Sequence, residues 1–92
     1  MIVVALQHPV ADYDTWKAVY DEGNPGTFGA LFARVNRSVD DPNLVTVVAG
    51  FKSVEAAKAM IDNPDLKADM ERAGVTAAPR IEIYEEAESV QY

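Results

Sequence analysis

Hydrophobic positions in this chain change their period several times, and each change marks a new element. Ile2–His8 is apolar and rich in β-branched residues at successive positions, which predicts a strand covered on both faces. Pro9 lacks a backbone donor and ends it. Asp12 then suits a helix N-cap, and Tyr13, Trp16 and Tyr20 follow at i, i+3 and i+7, so the rings share one face of a helix running to about Glu22. Asp14, Lys17 and Asp21 mark its outer face. Gly23-Asn24-Pro25-Gly26-Thr27-Phe28-Gly29 breaks this helix and is a poor start for another. Ala30–Val39 predicts a second strand with Phe32, Arg34 and Asn36 on one side. Asp41-Pro42-Asn43 is turn chemistry, and Leu44–Phe51 follows as the third strand of a hairpin.

In the second half the helical period returns. Ser53 caps a helix whose apolar stripe is Val54, Ala57 and Ile61. Asn63-Pro64-Asp65 is a further helix start, so Pro64 either kinks one helix or divides two. Leu66, Met70 and Ala73 share a face, and Gly74 is placed to cap the C-terminus. Arg80–Glu86 alternates Ile81 and Ile83 with Glu82 and Tyr84, a final strand, and residues 87–92 read as a C-terminal extension.

Strand, helix, strand, strand, helix, strand is the β-α-β-β-α-β order of ferredoxin-like α+β folds. Right-handed crossovers place the first and third strands at the centre of a four-stranded antiparallel sheet, with the helices on one face. The residues span one domain, 1–92. Val45, Val47 and Phe51 form one apolar set on the third strand, yet Leu44 and Val48 supply the opposite set. A sheet apolar on both faces needs a cover on each, and the economical cover is a second copy, a homodimer joined through the sheet face.

Composition narrows the function classes. A chain of 92 residues buries only roughly 60–65% of its unfolded surface, which leaves its core marginal and favours a partner subunit. With no Cys, disulfides, thiolate metal sites and Cys nucleophiles are excluded. A formal charge of −7, with the basic residues scattered, argues against nucleic-acid binding. No apolar run spans a bilayer, and Met1–Leu6 lacks a basic flank, so it reads as a strand rather than a signal peptide and the expected location is cytoplasmic. One His and no Cys leave no metal-ligand set, and no cofactor is expected.

Val10-Ala11-Asp12-Tyr13-Asp14-Thr15-Trp16, Asp40-Asp41-Pro42-Asn43, Asn63-Pro64-Asp65-Leu66-Lys67 and Met70 to Ala73-Gly74-Val75 resemble the dimeric α/β-barrel superfamily. The resemblance is to the small bacterial proteins near the antibiotic-biosynthesis monooxygenases and cyclase-like proteins, and it covers about Ile2 to Glu86. It implies the ferredoxin-like dimer. For activity it implies a range: cofactor-free monooxygenases, haem-degrading enzymes, polyketide cyclases, lactone isomerases and members with no known activity. The haem-degrading relatives carry their histidine on a helix, whereas His8 ends a strand.

Candidate chemistry is sparse. His8, the single histidine, is in phase with Ile2, Val4 and Leu6 and points into an apolar layer. It is either a general base toward an acidic carbon or phenol, or a strand-end histidine bonded to nearby backbone. Trp16 and Tyr20, with Tyr13, either line a flat apolar pocket or are core. Arg34 and Asn36 hold a carboxylate or oxyanion if their face meets the helices, and form interface polar groups if it meets the partner. Phe28 lies in a glycine-bearing segment that is either a lid over the pocket mouth or a plain connection. Met60 and Met70 are adaptable walls or core. Together these residues predict a pocket for a planar apolar metabolite, acted on by proton abstraction leading to cofactor-free oxygenation, cyclisation or isomerisation. The alternative is a non-catalytic ligand-binding or interaction module.

Overall fold

The computed structural model describes residues 1–92. β1 (Ile2–Pro9) is followed by α1 (Tyr13–Glu22), β2 (Phe32–Arg37), β3 (Leu44–Phe51), α2 (Val54–Ile61), α3 (Pro64–Arg72) and β4 (Arg80–Glu85). The four strands form one antiparallel sheet in the order β2-β3-β1-β4, so the first and third strands are central as expected. This is the ferredoxin-like α+β fold. No helix is long and apolar enough to cross a membrane.

Local chemistry explains most boundaries. Asp12 caps α1: its carboxylate accepts from the Thr15 N–H at 2.9 Å and the Thr15 hydroxyl at 2.8 Å. Those bonds hold the Asp12 carboxyl below the usual carboxylate range. Ser53 caps α2 by accepting from the Ala56 N–H, and Asn63 accepts from the Asp65 N–H. Pro64 divides two helices: Asn63 leaves the helical conformation to cap α3, with Pro64 in the first turn. Of the two readings left open at Pro64, the structure has the division, and α2 and α3 are separate helices. Gly74 has φ +83, a conformation an L side chain resists, and it turns the chain out of α3.

Two expectations change in the hairpin and its approach. Residues 23–29 do start a short helix, a 3₁₀ turn over Pro25–Phe28, because the Asn24 side chain accepts from the Gly26 N–H and Pro25 has its φ preset. That turn draws in the Ala30 N–H, which donates to the Pro25 carbonyl, so β2 begins at Phe32 rather than Ala30. At its other end, the Ser38 N–H donates to the Leu44 carbonyl and closes the hairpin after Arg37.

On the helix-covered face, β1 contributes Val4, Leu6 and His8, and β3 contributes Val45, Val47, Ala49 and Phe51, all buried. The core falls into two clusters. One joins Val4, Ala49 and Phe51 to Ala57 and Met60 of α2. The other joins Val45 and Val47 to Trp16 of α1, Val10 and Ala73. Within one subunit β1 is buried on this face alone, since Val3 and Ala5 on the other face are half-buried and Gln7 is exposed. The open face is mixed: Phe32, Val48, Val3 and Tyr84 at one end, and Asn36, Thr46, Gln7 and Arg80 at the other. Beyond β4 the last backbone bond runs from the Glu86 N–H to the Met1 carbonyl, and residues 87–92 are exposed and irregular.

Candidate functional site

The seam between the two core clusters is not filled. A cavity of about 60 Å³ lies under α1 and α3, with Val4, Leu6, Val47 and Ala49 as its sheet floor. Trp16, Val19 and Tyr20 form one side, and Leu66, Met70 and Ala73 the other. Met60 and Pro25 also line it.

His8 reaches this space because the period of two along β1 carries it to the same face as Val4 and Leu6. It is 2% exposed, and its Nδ1 has no hydrogen-bond partner in the fold. Its ring meets that of Trp16 edge to face, 5.7 Å between centroids. Burial disfavours the imidazolium and lowers the His8 pKa from its ordinary 6.5, against a smaller raising effect of its own backbone. The side chain is therefore neutral near pH 7.

The i, i+3, i+7 spacing on α1 does what the pattern predicted. Trp16 is 3% exposed, Tyr20 stacks on it at 4.9 Å, and Tyr13 lies tilted against it at 5.8 Å. Burial, with smaller effects from Asp21 and Tyr13, raises the Tyr20 pKa, so the phenol stays protonated and can donate. At the outer end of the stripe the Arg37 guanidinium sits 3.8 Å over the Tyr13 ring and donates to the Pro42 carbonyl, tying the helix to the hairpin. Arg37 faces the helices, although the sequence pattern assigned it no role.

Arg34 and Asn36 are not brought to His8. They pair with Val48 and Thr46, which alternate with buried Val47 and Ala49, so both lie exposed on the open sheet face. The Arg34 guanidinium rests 4.6 Å over the Phe32 ring on that same face. Of the two placements read for this pair, the structure has the one away from the helices. Phe28 packs on the cluster of Val4, Phe51 and Ala57 instead of lining the cavity, and Pro25 of the same turn is the residue that does.

Sequence reading missed the acidic side chain on the cavity wall, Asp69. A signal was available: on α3 it lies three residues after Leu66 and one before Met70, on the stripe already recognised as apolar. Its carboxylate accepts from the Arg72 guanidinium at 3.3 Å, and Arg72 reaches Glu22 of α1 at 2.8 Å. The Asp69 carboxylate occupies the space where a Cβ on Gly23 would stand, so a side chain at 23 would displace that carboxylate, and the room rather than a special backbone conformation is what glycine supplies here. Thus the titratable groups on the cavity wall are His8, Tyr20 and Asp69. No group of three or more His, Cys, Asp or Glu side chains converges as a metal site would.

A ferredoxin-like α+β domain with an apolar cavity between sheet and helices, and a neutral histidine in it, defines a structural class. No protein-family model and no curated protein sequence matches the chain. Solved structures do match. A protein provisionally named an antibiotic biosynthesis monooxygenase, from Deinococcus radiodurans, is similar with TM-score 0.75 over 100% of this chain and 98% of that one, at 14% identity. Another of that provisional name, from Caulobacter crescentus CB15, has TM-score 0.74 over 95% and 90% of the two chains, at 22% identity. SnoaB of Streptomyces nogalater, a cofactor-independent oxygenase, has TM-score 0.76 over 99% and 97%, at 12% identity. The fold is therefore the one these monooxygenase-type proteins share, matching the resemblance carried by the sequence motifs.

Proposed function

We propose that this chain is a small-molecule pocket protein acting on a planar, largely apolar compound, with His8 as proton acceptor. The observation that carries this reading is the buried, unpartnered Nδ1 of His8 beside an apolar cavity. A polar atom left so costs on the order of 1–3 kcal/mol, and a ligand group that takes up the bond removes that cost. Trp16 and Tyr20 give the cavity flat walls suited to an aromatic ring.

The chemistry follows from a neutral base in a poorly solvated space. The imidazole takes a proton from a phenol or an acidic carbon, and the electron pair left behind spreads into the ring system as a phenolate or enolate. Reprotonation at another carbon is isomerisation, and attack on an internal carbonyl is cyclisation. Reaction with dioxygen is oxygenation: the carbanion forms a C–O bond to give a peroxide, the imidazolium returns its proton to the outer oxygen, and loss of the carbon's second hydrogen with cleavage of the O–O bond releases water and leaves a carbonyl. SnoaB, which shares the fold, is a cofactor-independent oxygenase, and that supports placing oxygenation among the outcomes.

The same reading includes a homodimer joined through the open sheet face, where Val3, Ala5 and Val48 remain half-buried with nothing over them in a single subunit. Arg34 and Asn36 are then polar groups of that interface.

Trp16 is the chain's single tryptophan and a wall of the cavity, so its fluorescence reports occupancy. Phenols and polyketide-like aromatics are titrated against it while oxygen uptake and product spectra are followed. Wild type is expected to bind and turn over a member of the panel, and His8→Ala to bind it about 5- to 150-fold more weakly, as the lost 1–3 kcal/mol requires, without turnover and with little change in melting. Binding without turnover in wild type supports the non-catalytic module instead. Full turnover by His8→Ala removes His8 from the mechanism.

A further inference from the structure

The cavity at His8 is too small for the ligands its walls suit. It holds about 60 Å³, and a cavity of roughly 150 Å³ is of the size that admits benzene. A ring enters only if a wall moves. On the far side of α3 lies an open cleft of about 420 Å³, floored by Val75, Ala78, Pro79 and Ile81. Leu66 and Met70 line both spaces. They stand one turn apart on α3 and are both half-buried, so two flexible side chains are the partition.

The helix that carries them is weakly anchored. α3 contributes no fully buried residue, and it runs between the Asn63-Pro64 cap and Gly74 with its φ of +83. Its polar tie to α1 is the exposed Arg72–Glu22 pair, a kind of contact that contributes little. Elements with few buried contacts open at low cost.

We infer that Leu66 and Met70 form a gate, and that the cleft behind α3 is the second compartment of the ligand site. The ligand is then an elongated molecule, a ring seated at His8 with an aliphatic or second-ring extension lying along Val75, Ala78 and Ile81. This rests on the ligand site proposed at His8. The cleft walls are mostly apolar, so the extension is recognised by burial rather than by hydrogen bonds.

The test is a series of 4-alkylphenols from methyl to hexyl, titrated against Trp16 fluorescence in the full chain. In wild type each added methylene should tighten binding by about fourfold. Ala78→Phe, or Ala77→Phe as a second variant at an exposed position of the same cleft, keeps Trp16 the single tryptophan and should abolish the gain for the longer chains while leaving 4-methylphenol within about twofold. If the gain survives both substitutions, or if 4-methylphenol binds and longer chains do no better, the second compartment is refuted and the His8 site stands. If no phenol in the series perturbs Trp16, the His8 site itself is refuted.

Discussion

Replacing Trp16 by alanine removes a buried side chain that belongs both to the core and to the cavity wall. The indole is 3% exposed, lies 5.7 Å from His8 and 4.9 Å from Tyr20, and belongs to the cluster with Val45, Val47 and Ala73. Truncating a buried ring of this size costs about 3–5 kcal/mol, the transfer free energy plus the cavity left behind. A small domain has about 5–15 kcal/mol in total, so the variant is expected to fold but marginally. At about 4–8 °C per kcal/mol for a chain of this length, Tm should fall by roughly 12–40 °C. The new hole joins the existing 60 Å³, and indole added to the solution has the shape to fill it. Indole at ten times its Kd should return about 1.4 kcal/mol to the variant. Circular-dichroism melts of both proteins, at one protein concentration with and without indole, make the measurement. A loss under about 1 kcal/mol, or a folded variant that indole does not stabilise, would refute the packing described for Trp16.

Two further outcomes follow from the same structure. His8 is neutral in the folded protein because burial lowers its pKa below the 6.5 of the unfolded chain. Its contribution to stability is therefore fully present above pH 6.5 and is lost as pH falls toward the folded value, since the unfolded state then binds the proton first. Urea unfolding of wild type and His8→Ala between pH 7.5 and 5 should show the steeper decline in wild type, and parallel curves would overturn the assignment. Gel filtration with light scattering at micromolar concentration should give twice the subunit mass, and a clean mass of 10.0 kDa would overturn the dimer.

Element order, caps and the central pairing were legible in the residues because they depend on local chemistry. Asp12, Ser53 and Asn63 each cap the helix they precede, since a short oxygen-bearing side chain reaches the free N–H groups of a first turn whatever lies elsewhere. The direction of His8 was equally legible, because a period of two along Val4, Leu6 and His8 leaves it no other face. What the sequence left open is what depends on which element lies opposite. Arg34 and Asn36 share a face with Phe32 by arithmetic, but whether that face meets the helices or the open side left for a partner is decided by how β2 pairs with β3. The phase of Asp69 on the α3 stripe is local, but the room for its carboxylate on the cavity wall is left by Gly23, forty-six positions earlier in the chain. The cavity itself belongs to the tertiary structure alone. It exists because Val4, Ala49 and Met60 pack in one cluster and Trp16, Val47 and Ala73 in another, and the volume left between two packed groups is a property of neither stretch of sequence.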